Sequence, residues 1–412
     1  MAVANDPTTM AGDFKNLYKD SGLLNAIPSW MILQDRFPFE EAEAGLGQYY
    51  IFGVVLQREQ GFTYAPSSGT GSGVQTLNAA VAGVISQAQV EGYSIYLRSR
   101  LSYDAAAKAS RAGKKAFAQA YGAVLKNMKE SHQFRLELSL MYGRDGLGVV
   151  ASNTTGALVI SDSSWASGIW ASGMKGAVLE AWTGTGASVT QHDGDLTVST
   201  VDVSNKTVTV TGTSTSVVAN DVLYFKGART ATTYRECPGL FRIMSNTGSL
   251  FNIDAAQYEL WKGQSYAVNG NLTLTAIMNA SALGMVYGLE KAILICAPTK
   301  FAQLASDEAA LRRYVSDSTK TKRGVKGISF LMGNVETEIL PHPLCKESHA
   351  MMLSEDSIHR VGATDITFGM PGSGEKMEVH VTDSSAIEFR SMSDQAIFSD
   401  QPSTMVLLTA IS

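Results

Sequence analysis

From Asp104 onward the chain carries one long amphipathic helix, and few compact domains have room for such an element. Behind the Ala-rich start Ala105 to Ala109, the residues Phe117, Tyr121, Val124, Leu125 and Met128 recur at i, i+4, i+7, i+8 and i+11, one face of an α-helix. Phe134, Leu136, Leu138 and Leu140 alternate as a strand would, but Gly143 after Tyr142 is a helix-ending residue, so the helix is predicted to run to Tyr142. At 1.5 Å per residue it would be about 58 Å long, suited to bracing a flat, extended subunit. Gly113 and Gly122 each cost about 1 kcal/mol relative to Ala in such a helix, which points to close packing there.

The first 47 residues would not fold by themselves. Residues 1–47 show no sustained periodicity and read as an extended arm. Tyr49 to Leu56 is aromatic and β-branched, a strand that passes into the polar Gln57 to Gln60, and Tyr93, Ile95 and Leu97 alternate with polar residues as a second strand. Between them Pro66 to Gly73 is a low-complexity tip that buries too little apolar surface to offset its chain entropy. Residues 48–101 are therefore expected to form a long two-stranded extension.

Beyond the helix the pattern is mixed. A helix-like segment spans Trp165 to Trp182. A small β insertion is expected at about 185–230, where Leu196, Val198, Val201, Val203, Val208 and Val210 sit among Thr and Ser, Asn205-Lys206 marks a hairpin turn, and Val222 to Phe225 closes it. Residues 272–290 read as helix, Ala292 to Ala297 as a buried strand ended by Pro298, and Lys300 to Tyr314 as helix. Short strands alternate with turns to the end, closing on Ala386 to Arg390 and Met405 to Ile411. The class is α+β, with long non-local returns.

Composition narrows the function. Of 412 residues only 17% are charged, below the roughly 25% usual for soluble domains, while 45% are hydrophobic. No apolar run reaches the roughly 18 residues of a membrane span. A weakly charged surface without a membrane segment implies large areas buried against other subunits. The net charge of -5 excludes a protein that holds nucleic acid by neutralising many phosphates, leaving weak, non-specific DNA contact. Cys237, Cys296 and Cys345 are too few and too far apart for a disulfide framework, and the first eighteen residues lack the order of a signal peptide, so synthesis and use inside a cell are expected.

Several clusters could carry chemistry, and each has a plainer reading. His342, Cys345 and His349, with His359 further on, have metal-ligand spacing, yet Pro341 and Pro343 break the segment and no Cys-x-x-Cys accompanies it. Gly168 to Lys175 nearly matches a phosphate-binding loop, but the Lys is displaced by one residue and no Ser or Thr follows it. His192, Asp193 and Asp195 fall where Asp and Gly make turns. Lys320, Lys322, Arg323 and Lys326 read as a solvated loop. No catalytic motif is found, and no catalytic, cofactor-binding or metal-binding residue is assigned.

The order of these parts resembles the major capsid proteins of tailed bacteriophages, whose fold is named after the Hong Kong phage and shared with encapsulins. The residues that carry the resemblance are Leu140-Met141-Tyr142-Gly143-Arg144-Asp145-Gly146 at the helix end, Phe251 to Asp254 with Tyr258 and Trp261, Ala297 to Leu304, and Glu388-Phe389-Arg390. Arg144 departs from the family's Leu-Tyr-Gly-Asp-Gly-like sequence. The resemblance implies an N-terminal arm (1–47), an extended β loop (48–101), a spine helix within a peripheral domain (102–145 and 366–412) and an axial domain (146–365). It implies self-assembly into hexamers and pentamers of an icosahedral shell enclosing phage DNA, in the virion, after assembly in a host bacterial cytoplasm. A separate scaffolding protein, a portal and a decoration protein would be the other partners. Some relatives weld their shells through a loop Lys, but no Lys lies between Lys19 and Lys108, so the loop is expected to act through Arg58, Glu59, Arg98 and Arg100 without crosslinking. The alternatives are an encapsulin-type compartment and an enzyme with an α+β core and a loop at 66–73.

Overall fold

The computed structural model describes residues 31–41, 49–65, 76–104, 107, 114–171, 173–186, 188–306, 328–332, 335–369, 378–380 and 384–412. The long helix spans Lys114–Tyr142, 29 residues and about 43 Å. The start expected at Asp104 lies partly outside the described residues. Leu136 to Tyr142 are all buried, because the helix end is enclosed on every side, and this explains why its apolar pattern imitates a strand. The helix stops where backbone meets backbone. A Cβ on Gly143 would sit 2.1 Å from the Cys237 carbonyl oxygen, and the left-handed residue is Arg144, with φ 72°.

One face of the helix lies on a five-stranded sheet. Its central strand, Ala386–Ser399, pairs with Tyr93–Ser102 on one side and with Ile358–Thr367 and Glu378–His380 on the other, and Phe39–Glu41 adds in parallel at the edge. Val124 and Met128 of the helix pack on Leu101 and Phe389 of the sheet. Between them the buried His132 ring holds the Ser391 and Ser393 hydroxyls at 2.9 and 2.8 Å.

The second sheet has six strands, in the order Gln264–Gly270, Val406–Ile411, Ala350–Ser354, Lys291–Cys296, Val335–Pro341 and Ile328–Met332. Lys291–Cys296 lies between two partners and is buried after its first residue, as its unbroken apolar run requires. The expected helices form at Leu274–Val286, capped by the Thr273 hydroxyl that accepts the Ala276 N–H at 3.2 Å, and at Pro298–Ser306. Pro298 opens the latter helix, where its missing N–H is not needed. Residues 307–327, with the basic stretch Lys320 to Lys326, lie outside the described residues.

Three expectations are corrected. The β insertion expected at about 185–230 forms but begins earlier: Gln191–Asp202, Thr207–Thr211 and Val222–Phe225 close into one barrel with Gly148–Thr154, Ala157–Ile160 and Val178–Trp182. Its first strands were hidden because a closed barrel draws its core from short, widely separated runs. The segment 165–182 is not one helix, but a five-residue helix, Ser167–Ala171, followed by a barrel strand. Trp165 and Trp170 stack there at 6.4 Å, which gives the spacing its helical look. The partner of Tyr50–Gln57 is Val84–Val90, not the strand at Tyr93, which instead joins the five-stranded sheet. Ser86, Gln87 and Gln89 made that partner look polar.

The helix, the N-terminal segment and the turn that leaves the six-stranded sheet after Pro341 meet at Glu137. Its fully buried carboxylate accepts the Leu33 N–H at 2.6 Å, the Gln34 N–H at 3.2 Å, the Gln34 side-chain amide at 3.0 Å and His342 Nε2 at 3.1 Å. His342 Nδ1 accepts the Leu344 N–H at 3.1 Å, so Nε2 carries the hydrogen that Glu137 receives. Glu137→Ala is expected to lower subunit stability by about 3 kcal/mol, because it strands buried donors; denaturant unfolding of purified subunits measures this.

Burial by the helix and sheet lowers the His132 pKa from 6.5 to about 4, with Asp365 opposing and Arg135 adding to the shift. The neutral ring therefore contributes stability that is present above pH 6.5 and lost as pH falls towards 4. Across that window the natural chain is expected to lose about 3 kcal/mol relative to His132→Gln, read from unfolding midpoints at a series of pH values.

Candidate assembly surface

Apolar side chains left in water gather on one part of the chain. Among the described residues, ten of the seventeen large exposed apolar side chains lie between Tyr49 and Tyr103. The hairpin of Tyr50–Gln57 and Val84–Val90 divides into two regions. At its base one face turns inward, where Leu56, Ala88 and Val90 join the main core and Phe52 stacks on Phe398 at 4.8 Å. The Gln89 N–H donates to the Phe251 carbonyl at 3.0 Å.

Past Gln57 the arm leaves the body while its two branches stay together. The Gln60 N–H donates to the Val81 carbonyl at 3.0 Å, the Asn78 N–H to the Thr63 hydroxyl at 2.8 Å, and the Asn78 side-chain amide to the Phe62 carbonyl at 2.7 Å. Here Phe62, Tyr64 and Leu77 are 69, 94 and 77% exposed. A paired arm that holds large apolar groups away from its own core has the form of an intermolecular contact. The tip at residues 66–75 lies outside the described residues.

No protein-family profile matches the sequence, and no curated protein matches it. Solved structures do. The chain aligns over 96% of its length with 96% of a chain of the cyanophage A-1(L) capsid, at 10% identity and a TM-score of 0.53. It aligns over 100% of both chains with a protein of the capsid of an empty GTA particle, at 8% identity and a TM-score of 0.50. The chain has the tailed-phage capsid fold. A likeness to the SrpI encapsulin of Synechococcus elongatus, at 9% identity over 100% of this chain and 97% of the other, has a TM-score of 0.45 and decides nothing between the two kinds of shell.

Within this capsid fold the four charged residues expected on the loop separate. Arg58 and Glu59 are exposed where the hairpin becomes the free arm. Arg98 and Arg100 lie on Tyr93–Ser102, in the five-stranded sheet, so the structure does not place them on the loop. Arg98 is exposed; Arg100 is held within the chain by Glu388 at 2.9 Å. Phe62, Tyr64 and Leu77 belong to no motif in the sequence, although large apolar residues flanking a Gly- and Ser-rich tip are a readable signal.

Arg144, the departure in the helix-ending motif, ties the strand Tyr93–Ser102 to the segment after the barrel. Its guanidinium donates to Tyr93 Oη at 2.6 Å and to the Glu236 carbonyl at 3.1 Å, and lies 5.4 Å from the rings of both Tyr93 and Tyr234. Burial raises the Glu236 carboxyl from 4.5 to about 7, against the pull of the Arg144 N–H and of Arg135.

The remaining clusters are spoken for by the fold. His342 serves Glu137, His349 Nε2 accepts the Tyr142 hydroxyl at 2.9 Å, and the Cys345 thiol faces the His349 carbonyl at 3.5 Å. Desolvation lowers His349 to about 3 and raises Cys345 to about 12, keeping both neutral. His359 lies apart, beside Glu40 and Asp400. His192 meets Asp221 at 2.8 Å, Asp193 accepts the Ser216 N–H at 2.8 Å, and Asp195 pairs with Lys226 and turns the strand at φ 58°. Gly168 packs on Pro343 inside a short helix, which leaves no room for a phosphate. Among the described residues no group of three or more His, Cys, Asp or Glu could hold a metal ion. No described helix is long and apolar enough to cross a membrane.

Replacing Phe62, Tyr64 and Leu77 together by Ser is expected to leave subunit unfolding within about 0.5 kcal/mol of the natural chain. Particle yield in electron micrographs should fall sharply, since each side chain is worth about 1.5–3 kcal/mol when buried in a partner.

Proposed function

We propose that this chain is the major capsid protein of a tailed phage, a structural subunit without enzymatic activity that assembles into hexamers and pentamers of an icosahedral shell around DNA. The observation that carries this reading is the distal arm, with Phe62, Tyr64 and Leu77 projecting from a subunit of capsid fold. An isolated enzyme would leave such groups unburied. In a closed shell every arm finds a neighbour, and many modest interfaces add up to a stable container.

On this reading residues 1–47 are the N-terminal arm; the extended loop expected at 48–101 is its hairpin part, up to Val90, and the strand Tyr93–Ser102 goes with the peripheral domain at 102–145 and 366–412, beside an axial domain at 146–365. Arg58 and Glu59 meet the neighbouring subunit beside the apolar arm, and Arg98 is a third charged contact. A separate scaffolding protein, the portal and a decoration protein are the other partners, and packaged DNA is touched weakly. The shell forms in the bacterial cytoplasm and is the virion's container.

Expression of the chain with the other products of its assembly genes, followed by size-exclusion chromatography and negative-stain microscopy, is expected to give megadalton icosahedral particles, whereas efficient closed shells from the chain alone would count against a separate scaffold. A compact monomer at high concentration would overturn the reading, and particles that fill with a protein cargo instead of DNA would favour a compartment. Denaturing gels of intact particles are expected to show one 44.0 kDa band and no covalent ladder, since the loop has no Lys.

A further inference from the structure

Among the described residues, Arg360 Nε and Nη1 and Gln395 Oε1 are buried polar atoms without a protein partner. Arg360 is 4% exposed and Gln395 1%. Strand register brings the two side chains together. Arg360 lies opposite Ile397, and Gln395 precedes Ile397 by two residues, so both project from one face of the five-stranded sheet. That face also carries Ser391 and Ser393, whose hydroxyls meet His132 of the spine helix.

Asp365 joins the pair. Its Oδ2 accepts from Arg360 Nη2 at 3.3 Å, and its Oδ1 accepts from the Gln395 side-chain amide at 3.2 Å and from the Ile366 N–H at 2.8 Å. The strand Ile358–Thr367 is irregular between Gly362 and Thr364 and again before Thr367, and a bulge re-aims the side chains beside it. Gly362 is the tight point, since a Cβ there would sit 2.1 Å from the Asp394 carbonyl oxygen. The carboxylate thus holds a guanidinium and an amide side by side and leaves each with unused hydrogen-bonding atoms. Turning the Gln395 amide over does not help, because its oxygen would then face the carboxylate.

We propose that Arg360 and Gln395 form a buried water site, in which one or two water molecules accept from Nε or Nη1 of Arg360 and donate to Oε1 of Gln395. The inference goes beyond the capsid reading and does not depend on it. A buried donor or acceptor left unpaired is costly, and a water with polar groups on two sides satisfies both. The chemistry of the site selects water over an ion. Desolvation lowers the Arg360 pKa, while Asp365, Glu137 and Asp35 oppose it by acting on the same charge, so a further anion has no unbalanced cation to meet. An anion would also face the Gln395 oxygen, and a metal cation would face the guanidinium. The Phe39 ring, 5.9 Å from the guanidinium, closes one side, and Asp365, 51% exposed, gives water a way in on the other.

A density map of the full chain that resolves ordered water tests the site. A peak is expected at hydrogen-bonding distance, about 2.7–3.2 Å, from Arg360 Nε or Nη1, and linked to Gln395 Oε1 directly or through one second peak. Gln395→Met, which nearly keeps the volume and removes the acceptor, is expected to abolish the bridge. Should that variant fail to fold, the map of the natural chain decides by itself. No peak beside Arg360, a peak that grows when bromide replaces chloride, or a peak unchanged in Gln395→Met would overturn the proposal.

Discussion

One buried carboxylate holds the subunit's parts in register. Glu137 lies on the spine helix, nine residues beyond Met128, the last position that reads as an ordinary amphipathic face, and it is removed from water. A carboxylate there is tolerable only because four donors converge on it, two backbone N–H groups and a side-chain amide from the N-terminal segment and an imidazole from the end of the six-stranded sheet. None of those donors is near it in sequence. The segment 31–41, the helix and the turn after Pro341 must all be in place before the charge is satisfied, so the contact acts as a check on the assembled tertiary structure.

Around that point the molecule sorts its buried ionisable groups by burial more than by pairing. His132 and His349 are kept neutral between helix and sheet, and Glu236 is raised towards neutrality at the helix end. The histidines favour the folded subunit at neutral pH, whereas Glu236 favours it in acid, so the two kinds of group oppose each other across the same range.

The arm shows how one hairpin serves two ends. Its base is part of the subunit's own core through Phe52, Leu56, Ala88 and Val90, which fixes its direction of departure. Its distal half carries Phe62, Tyr64 and Leu77 with nothing of their own chain to cover them. Burying the base and exposing the end fixes where the extension leaves the body, and on the proposed reading that aim lowers the entropy lost in binding.

Much of the architecture was legible in the sequence because it depends on local rules. Helical periodicity with a glycine stop marked the spine helix to Tyr142, the run Ala292 to Ala297 marked a buried strand, and Asn205-Lys206 marked a hairpin turn that the structure places at φ 52° for Lys206. What the sequence could not disclose was partnership. The polar face of Val84–Val90 hid a strand whose register is fixed across the hairpin, the barrel's first strands were indistinguishable from loop until they closed on Val222–Phe225, and Arg100 became an internal ion-pair member only when Glu388 was brought beside it. Periodicity records which side of an element avoids water. Which element supplies the dry side, and which charge ends beside which, are settled by contacts between residues as far apart as Leu33 and Glu137, and only the folded chain decides those.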